Sequence, residues 1–352
     1  MTIDEGKLQE FMGKFVGDLG ALLHAPLVIV GEKLGLYKAM NGAGPLSAGE
    51  LAERTRTDAR YVQEWLAANA ASGYVTYDAA VGRYSLSPEQ AAALADESSP
   101  AYIPGAFQLA RAGFHAVDLI LDAYRTGKGV GWHEHHHCLF EGTERFFRPG
   151  YAANLVSSWL PSLEGVEDKL RSGARVADVG CGHGASTVLM AQAYPKSTFI
   201  GFDYHEPSIA AARRAADQTG VGDRCRFEVA KAKDFPGKGY DLVAFFDCLH
   251  DMGDPVGAAR HVRQSLAADG AWMIVEPNAG DRIEENLNPV GRIFYSASSW
   301  VCTPASKSQE VGLALGAAAG QTRLSAVVRE GGFTRVRRAA ETPFNMVLEA
   351  RP

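Results

Sequence analysis

Apolar positions recur at helical spacing from the start of the chain, where Phe11, Phe15, Leu19, Leu22 and Leu23 mark one face of a helix beginning near Lys7. A second, shorter helix is expected over 28–36. Pro26 should separate the two, because proline brings no amide hydrogen. Ser47 and Glu50 occupy the two positions of a capping box, so another helix opens after Ser47. Thr57-Asp58 caps the next, whose apolar face is Val62, Trp65, Leu66 and Ala70 and which ends at Gly73. Residues 74–77 and 83–86 read as short strands about a turn at Gly82. Helix, helix, hairpin is the layout of a winged helix.

Residues 100–170 look helical, interrupted by the glycines from Gly127 to Gly131. From Arg175 the period changes. Short apolar runs at 176–179, 198–202, 226–229, 242–246 and 272–275 alternate with helical stretches at 185–194, 208–219 and 256–267. That alternation implies an α/β fold built on a doubly wound, mostly parallel sheet. The run 344–349 reads as a last, antiparallel strand. Residues 277–320 form a long insertion ahead of it, rich in aromatics, and long ordered loops of this kind often cover active sites. The expected divisions are 1–98, a helical and pocket-lining stretch 99–170, and 171–352.

Composition changes this picture in three ways. With 46% hydrophobic and 22% charged residues over 352 positions, the chain can bury ordinary globular cores. The net charge of −6 gives no general attraction for phosphate, and the candidate recognition helix, 58–65, holds one arginine against two acids. No nucleic-acid partner is expected. Five cysteines without a CxxC pair suggest reduced thiols, and the polar start MTIDEGKLQE is no signal peptide. No apolar run approaches bilayer length, so the expectation is a cytoplasmic protein without a membrane partner.

The chemistry centres on Asp178-Val179-Gly180-Cys181-Gly182-His183-Gly184, which follows a predicted strand and opens a helix. Small residues let the backbone turn sharply and approach a ligand. The spacing is GxGxG, not the GxGxxG of a dinucleotide loop. Asp178 suits a ligand's ammonium group, and Asp203, closing the next strand beside Tyr204, can accept two hydroxyl protons from a ribose.

On these residues the chain resembles the class I S-adenosylmethionine-dependent methyltransferases, with a Rossmann-like seven-stranded sheet and a mainly helical N-terminal winged-helix domain. It is closest to actinobacterial-type enzymes and more distantly similar to plant and polyketide-pathway O-methyltransferases. The resemblance implies S-adenosylmethionine as cofactor, a small-molecule acceptor, and a homodimer joined through the N-terminal domain. It implies cofactor contacts from Asp178, Gly180, Cys181, Gly182, Asp203 and Tyr204. Further contacts would come from Ala232 and Lys233 after the third strand, and from Phe246 and Asp247 after the fourth. Relatives place an acid near Ala232 for the adenine amino group; here backbone or Asp234 would substitute.

The resemblance also places His250 as the base that takes a proton from a phenol or enol, with Met252 where relatives carry tryptophan. Glu276 matches the first of two flanking glutamates, and Gln321 falls at the second. Alternatively His250 caps its loop or bonds Asp254. A metal-assisted C-methylation of an α-keto acid would use His250 and Asp251 with a third ligand such as Cys302, and a ligand-sensing regulator is a further alternative. Residues 133–138 hold four histidines, a glutamate and a cysteine. In an extended loop such neighbours diverge, so no metal is expected; one histidine could line the acceptor pocket, as could Arg145, Phe146 and Phe147.

Overall fold

The computed structural model describes residues 2–352. It divides into two compact units, Met1–Arg111 with Glu141–Pro149, and Ala112–Phe140 with Gly150–Pro352. The stretch 99–170 is therefore shared between them.

The first unit contains α1 (Glu5–Lys33), α2 (Leu36–Met40), α3 (Ala48–Thr55), α4 (Ala59–Ala71), the antiparallel hairpin β1 (Thr76–Asp78) and β2 (Arg83–Ser85), and α5 (Pro88–Leu94). The capping box at Ser47 and Glu50 forms, and Asp58 accepts the amides of Arg60 and Tyr61. Val28, Leu36, Tyr37, Leu51, Trp65 and Leu66 make the core. Fully buried Asn69 accepts the Tyr37 hydroxyl at 2.6 Å and donates to the Trp65 carbonyl at 2.8 Å, so its polar atoms have partners.

Two expectations fail in α1. The helix runs unbroken through Pro26. Proline removes one amide hydrogen, and the carbonyl left over belongs to Leu22, which is exposed and open to water. Joined in this way, α1 is long and apolar enough, by length and composition, to cross a membrane. Only His24, Val28 and Gly31 of it are buried, while Leu8, Phe11, Phe15, Leu19, Leu22 and Leu23 are exposed.

The middle of the chain forms α6 (Pro104–His115), α7 (Val117–Thr126), α8 (Cys138–Asn154) and α9 (Val166–Ser172). Then follow β3 (Arg175–Val179), α10 (Ala185–Ala193), β4 (Thr198–Asp203), α11 (Glu206–Gln218), β5 (Cys225–Val229), β6 (Tyr240–Phe246), α12 (Pro255–Ser265) and β7 (Leu266–Pro277). The insertion carries α13 (Pro289–Ala297) and α14 (Thr303–Lys307), and the chain closes with α15 (Gly320–Glu330), β8 (Arg335–Glu341) and β9 (Asn345–Arg351).

Seven strands order as β5-β4-β3-β6-β7-β9-β8. The first five are parallel, and β9 runs antiparallel to both β7 and β8. The central strands read as continuous apolar runs because both faces are buried, with Val243, Phe245, Trp272, Ile274 and Leu348 at 0% exposure. Strand β8 was not anticipated. It is a half-exposed edge strand with arginines at 335, 337 and 338, a composition that protects an edge but hides the strand from apolar patterning. Strand order reverses between β3 and β6, and ligands of such sheets bind outside the carboxyl ends there.

Candidate active site

The loop leaving β3 turns through three left-handed glycines, Gly180, Gly182 and Gly184 (φ 75°, 52° and 81°). The Gly180 and Cys181 amides bond the Phe202 carbonyl, tying the loop to β4. A side chain at Gly180 would collide with Cys248, whereas the space before Gly182 is open. An open glycine above a strand end is a cradle for a ligand.

Asp178 lies beneath that cradle at 0% exposure. Its Oδ2 accepts the Ser186 and Thr187 hydroxyls, both at 2.6 Å, while Oδ1 is buried with no partner. Burial pushes this carboxyl up to about 6, against the two hydroxyl bonds that favour its charge. An orphaned carboxylate oxygen calls for a donor, and an ammonium group or a water held by one supplies it. Asp203 ends β4 with Oδ2 accepting the Gly182 amide at 3.0 Å and Oδ1 the His205 amide at 2.8 Å. Each oxygen keeps a second lone pair for a diol. Burial raises this carboxyl too, with the backbone bonds opposing.

The loop after β6 supplies the other wall. Asp247 adopts φ 51°, a strained conformation for a residue with a side chain. Its Oδ2 accepts the Tyr151 hydroxyl at 2.8 Å and its Oδ1 the Asn345 amide at 3.0 Å, and burial lifts it to about 7. Phe246 is buried against Tyr151, ring centroids 5.2 Å apart. His250 is 4% exposed. Its Nδ1 is 2.5 Å from Glu276 Oε2, whose other oxygen accepts the Leu249 amide at 2.9 Å. Burial alone would lower this imidazole, but the charge of Glu276, with help from Cys302, holds it well above its ordinary value. The Cys302 thiol is the ring's other hydrogen-bond partner. Asp251, buried next to these groups, is pushed up to about 7.

Glu276 thus stands where the sequence placed it, and Gln321 does not. Gln321 opens α15 and accepts Arg338 Nε at 2.8 Å, so the second neighbour of His250 is Cys302. Lys233 pairs with Glu310 of the insertion, Ala232 packs on the sheet core, and Asp234 accepts the Lys231 amide at 3.1 Å. Tyr204 is 41% exposed beside Asp203, and Cys181 is a buried thiol whose titration burial pushes far up. The insertion is sewn to the loop after β6. Gln309 bonds the Gly253 amide and the Asp251 carbonyl, Ser306 the Met252 carbonyl, and the Gly316 amide the His250 carbonyl. Tyr151 and Asn345, which both bond Asp247, are residues of this wall that chain position alone did not reveal.

Arg145 pairs with Glu32 and Gln108 inside the first unit, and Phe146 and Phe147 meet edge to face, which are packing roles. The histidine patch also departs from expectation. Residues Trp132–Glu134 form a 3-10 turn and His137 already has helical angles as α8 begins. The chain is therefore not extended, and ligand atoms of His136, His137 and Cys138 lie within 4.8 Å of one another. Among the described residues this is the one group of three metal-ligand side chains that converges, so His250, Asp251 and Cys302 do not form a triad.

Comparison with known proteins agrees with this architecture. Residues 170–323 match the methyltransferase domain family and residues 23–96 an Rv2258c-like winged HTH domain. A tRNA (guanine-N(7)-)-methyltransferase of Edwardsiella ictaluri is 30% identical over 145 residues, 40% of this chain and 53% of that protein. The chain spans about half the length of the curated relatives it matches. The mitomycin 7-O-methyltransferase structure superposes with TM-score 0.70 at 18% identity, covering 99% of this chain and 100% of the other. Human N-acetylserotonin methyltransferase, in complex with S-adenosylmethionine, gives 0.68 at 16% identity over 100% and 99%. At such identities the likeness is one of fold.

Proposed function

We propose that this chain, which joins a winged helix-turn-helix domain to a class I methyltransferase domain, transfers a methyl group from S-adenosylmethionine to an oxygen of a small apolar or aromatic metabolite. The observation that carries the reading is the Asp178 cradle, with its buried, unpartnered Oδ1 under an open glycine and Asp203 one strand away. Gly180, Gly182 and Asp178 would hold the amino-acid end of the cofactor and Asp203 its ribose, with Tyr204, Ala232, Lys233, Phe246 and Asp247 around them. When bound, the cofactor supplies a methyl group already activated by sulfonium charge. What the chain adds is position and proton management.

Glu276 fixes the Nδ1 proton of His250, and Nε2 takes the acceptor's hydroxyl proton once the acceptor displaces the Cys302 thiol from the ring. Glu276 is a positioning residue in this scheme. Because the pair holds His250 above its ordinary value, the neutral imidazole grows as pH rises. The regulator alternative is less well supported. Arg60, the one cation early in the recognition helix, is paired to Glu64 of the same helix at 2.5 Å. The apolar face of α1 suits a second copy of the chain, since Glu10, Lys14 and Asp18 interrupt it with charge and Lys14 pairs with Asp18. A cytoplasmic location fits five free cysteines.

The test is a screen with methyl-labelled cofactor against phenols, enols, other hydroxyl acceptors and tRNA. Label on a small hydroxyl compound supports the reading. Label on tRNA alone, or no binding of S-adenosylhomocysteine in calorimetry, overturns it.

A further inference from the structure

The histidine cluster at the start of α8 has no part in methyl transfer as described, and its geometry is unusual. Cys138 is 3% exposed, His136 half-buried and His137 exposed, yet their ligand atoms lie within 4.8 Å of one another. A third imidazole stands alongside, as His115 stacks on His136 with centroids 4.0 Å apart and planes 10° from parallel. Ligands on a tetrahedral zinc stand about 3.3–3.8 Å apart, given bonds of about 2.0–2.3 Å. Small rotamer adjustments close that gap. The donor set, one thiol and two or three imidazoles, suits a borderline-soft divalent ion and not magnesium or calcium.

We propose that His136, His137 and Cys138 bind one zinc-like divalent ion, with a fourth position open to His115 or water. His136 Nδ1 accepts the Cys138 amide at 3.2 Å, and ligation through either ring nitrogen gives that bond up, at about 1 kcal/mol. Binding also releases the thiol proton. The site has a structural consequence. Between His115, which ends α6, and His136 lies α7, a helix with no buried residue. No apolar burial holds α7 itself, so an ion bridging the two ends of this segment acts as a staple. Phe140, one turn into α8, packs on His205 at 4.5 Å, two residues after Asp203. The staple therefore sits beside the ribose end of the cofactor pocket.

Cobalt(II) titration of the full chain tests this directly and without any methyl-transfer assay. The expected result is one equivalent bound, a thiolate-to-cobalt charge-transfer band, and displacement by zinc. The band disappears in Cys138→Ser. His137→Ala, a change at an exposed position, weakens binding by at least the roughly 10–100-fold that losing an outer partner costs, and His133→Ala has no effect. No charge-transfer band, a band that survives Cys138→Ser, or equal weakening by His133→Ala and His137→Ala overturns the site.

Discussion

Asp178→Asn is the sharpest test of the cofactor cradle. The carboxyl ordinarily titrates at 3.8 and here at about 6, because it is buried with one oxygen unpartnered. If the ligand's ammonium group, directly or through a water, supplies the missing partner, binding pulls the carboxyl back toward its ordinary value. A return across about two pH units corresponds to about 3 kcal/mol of coupling. Asparagine keeps the volume and one acceptor for Ser186 and Thr187 but removes the charge. S-adenosylhomocysteine, which retains the ammonium group, should then bind about a hundredfold more weakly to the variant at neutral pH. Linkage adds a second signature. Binding favours the ionised carboxylate, so affinity falls as pH drops through the folded value, by about tenfold between roughly pH 7 and pH 5. Calorimetry at several pH values on both proteins reads this, and the variant should lack that share of the slope. Equal affinities, or the same slope in both, would refute the assignment.

His250→Ala should lower kcat by roughly 10²–10⁴ while leaving S-adenosylhomocysteine affinity unchanged; equal turnover removes it as the base. In Glu276→Gln the carboxylate that holds His250 high is gone, so the acid limb of the kcat/KM profile should move to lower pH, and an unmoved limb contradicts the pairing. Stability should fall with rising pH in the free protein. Asp178, Asp247 and Asp251 have folded values above 3.8, at about 6, 7 and 7. The folded state therefore holds more protons than the unfolded chain above 3.8, and it loses stability until the pH passes those values. His250, also raised, acts in the same direction above its unfolded value. Thermal midpoints that rise from about pH 5.5 to pH 8 would show the opposite linkage. Phe11→Glu combined with Phe15→Glu should turn a dimer into monomer in sedimentation, and a dimer that persists removes α1 as the interface.

What could be read from the chain was what depends on neighbours in sequence. Caps at Ser47 and Asp58, the glycine loop and Asp203 obey local rules, and each stands where those rules put it. Misplacements arose where a distant partner decides. Tyr151 and Asn345 reach Asp247 across 96 and 98 residues, and no spacing announces either. Gln321 fell near the expected position along the chain, but α15 begins at Gly320 and turns it to Arg338. Pro26 would end an isolated helix; here Val28 and Gly31 beyond it are buried against the rest of the unit, and that burial outweighs one lost bond. The histidines were expected to diverge because no local signal marked the turn into α8.

The choice between a dinucleotide and a sulfonium nucleoside rests more firmly on charge than on glycine spacing. Asp178, Asp203, Asp247 and Asp251 surround the carboxyl ends of β3, β4 and β6, and burial raises every one of them. Among the described residues no lysine or arginine forms an ion pair with any of the four, and His250 is already paired to Glu276. A pyrophosphate brought to this crevice would add negative charge to uncompensated carboxylates in a low-dielectric site, which is strongly unfavourable. A ligand carrying a sulfonium and an ammonium group does the reverse. It lets the carboxylates ionise, so part of its binding energy comes from relieving a strain the folded chain carries without it. Selectivity here comes from buried acids awaiting a cation.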